Sequence, residues 1–108
     1  MKKIEMVYLY DLYAPLLNDR QREVLELYYN EDQSLAEISE NVGITRQGVR
    51  DCIVKSEALL VGYEDALGLR AKLLDIEKKL DDLTRKAENG ISGKEISDEI
   101  AEIKNMLL

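Results

Sequence analysis

The chain has 108 residues, the length of one domain or of one small domain with an appendage. Its 22 acidic and 15 basic residues give a formal net charge of −7, which argues against tight non-specific binding to nucleic acid without excluding a locally basic face. The absence of histidine excludes imidazole catalysis and histidine-ligated zinc, and the single cysteine, Cys52, excludes an internal disulfide. No apolar run reaches the ~18 residues of a membrane span, and the N-terminus lacks the apolar core of a signal peptide, so we expect a cytoplasmic protein.

Composition and apolar spacing both predict an all-α fold. Charged residues make up 34% of the chain, with only six Gly and one Pro, which is typical of solvated helices and not of a β-sandwich. Apolar residues recur at helical spacing in a cluster of short helices over about 3–60, a long amphipathic pattern over about 61–88, and a short helix over about 92–108. We therefore predict a helix-turn-helix domain over residues 1–60, followed by an appendage over 61–108.

Capping residues mark the expected helix boundaries in the first region. Pro15 must bend or end the first helix, because proline cannot donate the backbone hydrogen bond that a helix interior needs. Asn18 and Ser34 each precede a Gln or Glu by three residues, which is the spacing of a capping box. Gly43 supplies the left-handed residue that a sharp turn requires, and Thr45 can cap the helix that follows.

The stretch from Ser34 to Glu57 has the layout of a helix-turn-helix: a short capped helix, a turn at Gly43, and a second helix. In such proteins the first residues of the second helix meet base edges, and neighbouring residues contact phosphates. The candidate nucleic-acid-binding residues are therefore Ser34, Thr45, Arg46, Gln47, Arg50 and Lys55.

The same spacing also occurs in ordinary helical bundles, and residues 45–57 carry a net charge of only +1. The residues alone therefore leave two interpretations open, a sequence-specific DNA-binding regulator and a protein-interaction module without nucleic-acid contact. No phosphate-cradling glycine loop, metal cluster or paired carboxylate in a cleft is indicated, so we expect neither enzymatic activity nor a cofactor.

Residues Tyr8 to about Leu69 resemble the YlxM-like helix-turn-helix family of Gram-positive bacteria. The resemblance is carried, in order, by YLYDLY at 8–13, LLNDRQR at 16–22, LELYY at 25–29, DQSLAEI at 32–38, TRQGV at 45–49 and YE at 63–64. It implies an all-α bundle that resembles region 4 of bacterial sigma factors, within the winged-helix-like DNA-binding superfamily but without a wing.

The resemblance also implies a function, a non-enzymatic accessory or regulatory protein of the signal recognition particle pathway. Genes of this family typically neighbour those of the particle, and the implied partners are its GTPase or its RNA. The chain departs from the family at three positions: Arg50 stands where Tyr is usual, Cys52 where Asn is usual, and Val54 where Lys is usual. The loss of a basic residue at 54 weakens phosphate contact, and the gain of Arg50 partly restores it.

After residue 60, apolar residues alternate at spacings of three and four, which is an a/d heptad pattern. Gly68 lies inside this pattern and permits a bend, and Asn89-Gly90 is a helix stop. Either the long helix folds back against the last helix as a hairpin, or two chains exchange their apolar faces. The last helix covers only part of the pattern, so we predict a homodimer whose seam consists of Leu69, Leu73, Ile76, Leu80 and Leu83.

Overall fold

A computed structural model describes residues 4–108, which form six α-helices and one short 3₁₀ turn, Ala14–Leu16. The helices are α1 (Ile4–Tyr13), α2 (Asp19–Tyr29), α3 (Leu35–Val42), α4 (Arg46–Leu67), α5 (Leu69–Glu88) and α6 (Gly93–Met106). No strand occurs between residues 4 and 108, which confirms the all-α prediction. The chain divides into two compact units, a first unit, Met1–Gly68, and a second unit, Leu69–Leu108. The domain predicted from the sequence begins at residue 1, and residues 1–3 lie outside the described part.

The helix boundaries of the first unit lie where the capping residues predicted them. Asn18 Oδ1 accepts a hydrogen bond from the Gln21 amide at 2.8 Å, and the Asn18 amide donates back to the Gln21 side chain at 3.0 Å. Ser34 makes the same reciprocal pair at the start of α3. Each such cap contributes roughly 1 kcal/mol, because it satisfies backbone donors that the first turn leaves unpaired.

Helix α4 packs against α1, α2 and α3 and forms the centre of the first unit. Its buried residues are Val49, Ile53, Ser56 and Leu60, which are spaced four, three and four residues apart and so share one face. This face lies in a core with the fully buried side chains of Val24, Leu25 and Ile38.

The first unit extends beyond residue 60, where the sequence placed the end of the domain. The Tyr13 hydroxyl donates to Glu64 at 2.6 Å, and the Tyr63 hydroxyl donates to the Leu16 carbonyl at 3.2 Å, so the last two turns of α4 are attached to α1 and the 3₁₀ turn. Gly68 ends α4 in the left-handed conformation, with φ of +65°, and the long helix of the second unit begins at Leu69, not at residue 61.

The second unit is an antiparallel pair of helices, α5 and α6. Gly90 has a φ of +82° in the connection, and Ser92 Oγ accepts from the Glu95 amide at the start of α6. Ion pairs join Lys79 to Glu102 and Lys86 to Glu99 across the pair. No helix within residues 4–108 combines the length and the apolarity needed to cross a membrane.

Candidate nucleic-acid interface

Helices α3 and α4 form the helix-turn-helix that the sequence predicts. Gly43 turns the chain with a φ of +78°, a conformation that costs side chains other than glycine about 1–2 kcal/mol. The Ser39 hydroxyl donates to the Ile44 carbonyl and fixes the turn from the α3 side. Thr45 then caps α4 by accepting from the Gly48 amide at 2.9 Å. The turn thereby presents the first residues of α4 to solvent.

All six candidate residues, Ser34, Thr45, Arg46, Gln47, Arg50 and Lys55, are exposed. The side chains of three of them already make local hydrogen bonds. The hydroxyl oxygens of Ser34 and Thr45 are helix caps, and the Gln47 amide nitrogen donates to Asp51 Oδ1 at 2.9 Å. The capping hydroxyl of Thr45 keeps its proton for donation, and Gln47 keeps its amide oxygen as an acceptor.

The remaining three candidates are the unpaired positive charges among residues 4–68, the described part of the first unit. On α2, Arg20 pairs with Glu23 at 3.6 Å and Arg22 pairs with Asp19. Within residues 4–68, by contrast, the side chains of Arg46, Arg50 and Lys55 have no ion-pair or hydrogen-bond partner. The unpaired positive charge of residues 4–68 therefore lies on the first three turns of α4.

Helical geometry separates these three residues into two groups. Arg46 and Arg50 are one turn apart and lie within about 40° of each other around the axis of α4. Lys55 follows Arg50 by five residues, so it lies about 140° further round. The two arginines can contact one ligand together, and the lysine faces another direction. The helical period of the sequence already predicts that Arg46 and Arg50 share one face. It also separates them from Lys55, which the list of candidate residues grouped with them.

Negative charge limits this basic surface on both sides. Helix α3 carries Glu37 and Glu40 and no basic residue, and the second half of α4 carries Glu57, Glu64 and Asp65. Hydrogen bonds from the backbone and side chain of Ser34 lower the pKa of Glu37, which keeps its carboxylate ionised at the start of α3. The first unit has seven basic and thirteen acidic residues, a net charge of −6. Arg46 and Arg50 can therefore contact only a short stretch of phosphates.

A groove beside Arg50 was not predicted from the sequence. It has a volume of about 230 Å³ and is lined by Tyr28, Leu35, Arg50, Ile53, Val54 and Glu57. The Glu57 carboxylate accepts a hydrogen bond from the Tyr29 hydroxyl, and burial, followed by this hydrogen bond, raises the pKa of Tyr29. The groove was not predicted because side chains from three helices form its walls. The one signal in the sequence was an apolar residue, Val54, one turn after Arg50 and outside the buried face of α4, and the structure shows that it is exposed.

Comparison with known proteins agrees with this geometry. Residues 1–103 match the model of the UPF0122 family, described as "Putative helix-turn-helix protein, YlxM / p13 like". A UPF0122 protein of Thermoanaerobacter sp. (strain X514) is 46% identical over 83 residues, which cover 77% of this chain and 71% of the relative. A UPF0122 protein of Caldanaerobacter subterraneus subsp. tengcongensis is 49% identical over 76 residues, 70% of this chain and 65% of the relative. One of Clostridium kluyveri is 47% identical over 77 residues, 71% of this chain and 69% of the relative. The chain belongs to the UPF0122 family of YlxM / p13-like helix-turn-helix proteins.

Proposed function

We propose that the protein is a non-enzymatic regulatory or accessory factor that binds nucleic acid through the start of α4. The observation that carries the proposal is the pair of exposed, unpaired guanidinium groups of Arg46 and Arg50, on one face of the second helix of a helix-turn-helix. Arginine presents a planar set of donors that matches both guanine edges and phosphate oxygens. Thr45 and Gln47 adjoin Arg46 on α4 as polar contacts, and Ser34 is a further candidate contact at the start of α3. Lys55 contributes only charge from another face of α4.

The small basic surface sets the expected binding mode. Two arginines neutralise about two phosphates, so each protomer should contribute about −2 to the slope of the logarithm of the binding constant against the logarithm of salt concentration, and a dimer about −4. A homodimer would double this contact, and two-fold related helix-turn-helix units suit two half-sites. We therefore propose that the dimer is the binding species and that affinity comes from a few directed contacts.

The resemblance to the YlxM-like family supports a place in the signal recognition particle pathway, in the cytoplasm. Within this proposal the particle's RNA is the first ligand to test, because it supplies phosphates and base edges to Arg46 and Arg50. Duplex DNA is the second, as expected for a transcription regulator on the same scaffold. The particle's GTPase is the partner expected if the arginines bind protein carboxylates instead.

The decisive experiment compares three proteins in a fluorescence anisotropy titration with labelled signal recognition particle RNA and with labelled duplex DNA. Changing both Arg46 and Arg50 to Ala should weaken binding by about 1–3 kcal/mol, roughly 5- to 150-fold, the cost of losing one base-reading contact. Lys55→Ala is the matched control, because it removes one positive charge from the same helix on a different face. Equal losses in the double variant and the control would indicate a diffuse charge effect and refute the proposed site.

A second candidate function, docking of a protein, is favoured by the groove beside Arg50. Leu35, Ile53 and the exposed Val54 offer apolar walls, and Arg50 and Glu57 place opposite charges at its rim. The net charge of −6 on the first unit also suits a protein partner better than a polyanion.

The two functions respond differently to salt and to substitution. An apolar protein contact should be nearly insensitive to salt, whereas nucleic-acid binding should weaken steeply. Val54→Asp should abolish binding of the particle's GTPase in an anisotropy or calorimetry titration if the groove is the docking site. If the arginines bind RNA and the groove binds no partner, Val54→Asp should weaken RNA binding only through its added negative charge. The loss of affinity should then be smaller at high salt.

A further inference from the structure

The second unit contains too few buried side chains to account for its own stability. Among residues 69–108, all of them described, Ile103 is the one buried side chain, and α5 buries none. Isolated helices in water gain most of their stability from packing an apolar face, and units of this size usually need oligomerisation, a metal or a disulfide. This unit has no cysteine and no cluster of three metal-binding side chains. An apolar partner is the remaining means of stabilisation.

The uncovered apolar side chains come from both helices. Leu73 and Leu80 on α5 are 45% and 48% exposed, and Ile100 and Leu107 on α6 are 41% and 63% exposed. Leu73 and Leu80 are one heptad apart, and so are Ile100 and Leu107, so each pair forms a straight row along its helix.

The ion pairs show that both rows lie on the same side of the helix pair. Lys79 on α5 and Glu99 on α6 take part in the ion pairs that join the two helices. Leu80 directly follows Lys79, and Ile100 directly follows Glu99. One residue corresponds to about 100° of rotation around a helix. Because α5 and α6 run in opposite directions, this rotation brings both rows to the face opposite the ion pairs. We call this surface, Leu73, Leu80, Ile100 and Leu107, the open face.

We infer that the open face is covered by the open face of a second copy of this chain, so that two helix pairs form a four-helix bundle. Charge supports a second copy as the occupant. Residues 69–108 contain eight basic and nine acidic residues, a net charge of −1, so two copies approach without strong repulsion. A row of Leu on α5 beside a row of Ile and Leu on α6 is also self-complementary under a two-fold axis, as an isologous interface requires. The half-buried seam residues Ile76 and Leu83 would become the interior of the bundle.

This inference deepens the proposed homodimer by assigning half of its interface to α6, and it does not depend on nucleic-acid binding. A dimer held by the α5 seam alone would leave Ile100 and Leu107 exposed. The two arrangements therefore differ in the effect of a charge at residue 100.

The test measures the mass of the full chain by sedimentation equilibrium over a range of concentrations. The native protein should be a dimer. The double variant with Leu73→Asp and Leu80→Asp, and separately Ile100→Asp, should each raise the dimer dissociation constant at least 100-fold. The matched control is Val61→Asp, which places the same charge at a similarly exposed apolar side chain, 44% exposed, in the first unit. It should remain a dimer.

Three outcomes would overturn the inference: a native protein that is monomeric at high micromolar concentration, a dimer that tolerates Ile100→Asp, or a control that dissociates as readily as the variants. The variant lacking Arg46 and Arg50 should still sediment as a dimer, so loss of nucleic-acid binding and loss of the dimer can be observed independently.

Discussion

Leu59 and Leu60 provide a sharp test of how α4 is packed, because they are chemically identical neighbours with opposite environments. Leu60 is 0% exposed, in the core that α4 shares with the other helices of the first unit, whereas Leu59 is 38% exposed on the same turn. Changing either to Ala alters helix propensity by the same small amount. Any difference between the two variants therefore measures burial alone.

The structure predicts a large difference. Truncating a fully buried Leu to Ala costs about 2.7–5 kcal/mol, since transfer of the lost methyl groups and the cavity left behind both count against the folded state. At roughly 0.05–0.15 kcal/mol per residue, a unit of this size has a total stability of about 3–10 kcal/mol. Leu60→Ala should therefore remove much of the stability of the first unit, and Leu59→Ala should cost about 1 kcal/mol or less.

The assay is equilibrium urea unfolding followed by tyrosine fluorescence. All six tyrosines, at positions 8, 10, 13, 28, 29 and 63, belong to the first unit, so their emission reports that unit without interference from α5 and α6. The urea concentration at the unfolding midpoint should be lower for Leu60→Ala than for Leu59→Ala. The difference between the two midpoints, multiplied by the m-value, should be at least about 2 kcal/mol. Equal midpoints would show that the buried face of α4 has been placed wrongly beyond residue 56.

Two further predictions concern the backbone and the tyrosines of the first unit. Gly43→Ala should destabilise the protein by about 1 kcal/mol in thermal unfolding, because Gly43 has a φ of +78°, whereas Gly62→Ala should stabilise it by about 0.5–1 kcal/mol, because Gly62 lies inside α4 with nothing within 4 Å of an added Cβ. Burial and the hydrogen bond to Glu26 raise the pKa of Tyr10 to about 12, above its ordinary value near 10. The stabilising contribution of the neutral phenol is complete below pH ~10 and is lost as the pH rises through 12, so the Tyr10→Phe variant should show a shallower loss of stability in alkaline unfolding. Titration of tyrosinate absorbance should lose the component that ionises near pH 12 in the same variant.

Local contacts explain why the sequence was sufficient for the helix-turn-helix. The capping box at Asn18, the cap at Thr45 and the left-handed Gly43 join residues no more than five positions apart, so their pattern is visible in the sequence. The buried face of α4 follows from a period of 3.6 residues, which the apolar spacing records directly. The family resemblance and the exposed positions of Arg46 and Arg50 rest on the same local segments.

Long-range contacts decided the rest. The hydrogen bond from Tyr13 to Glu64 spans 51 residues and extends the first unit to Gly68, where apolar spacing continued without a break. The groove beside Arg50 needs side chains from α2, α3 and α4 in one place. Which arginines are free to bind a ligand depends on the ion pairs of Arg20 and Arg22. The heptad pattern of α5 marks an apolar seam, but only the packed position of α6 reveals which of its edges stays uncovered, because periodicity fixes the direction of a side chain and not its partner.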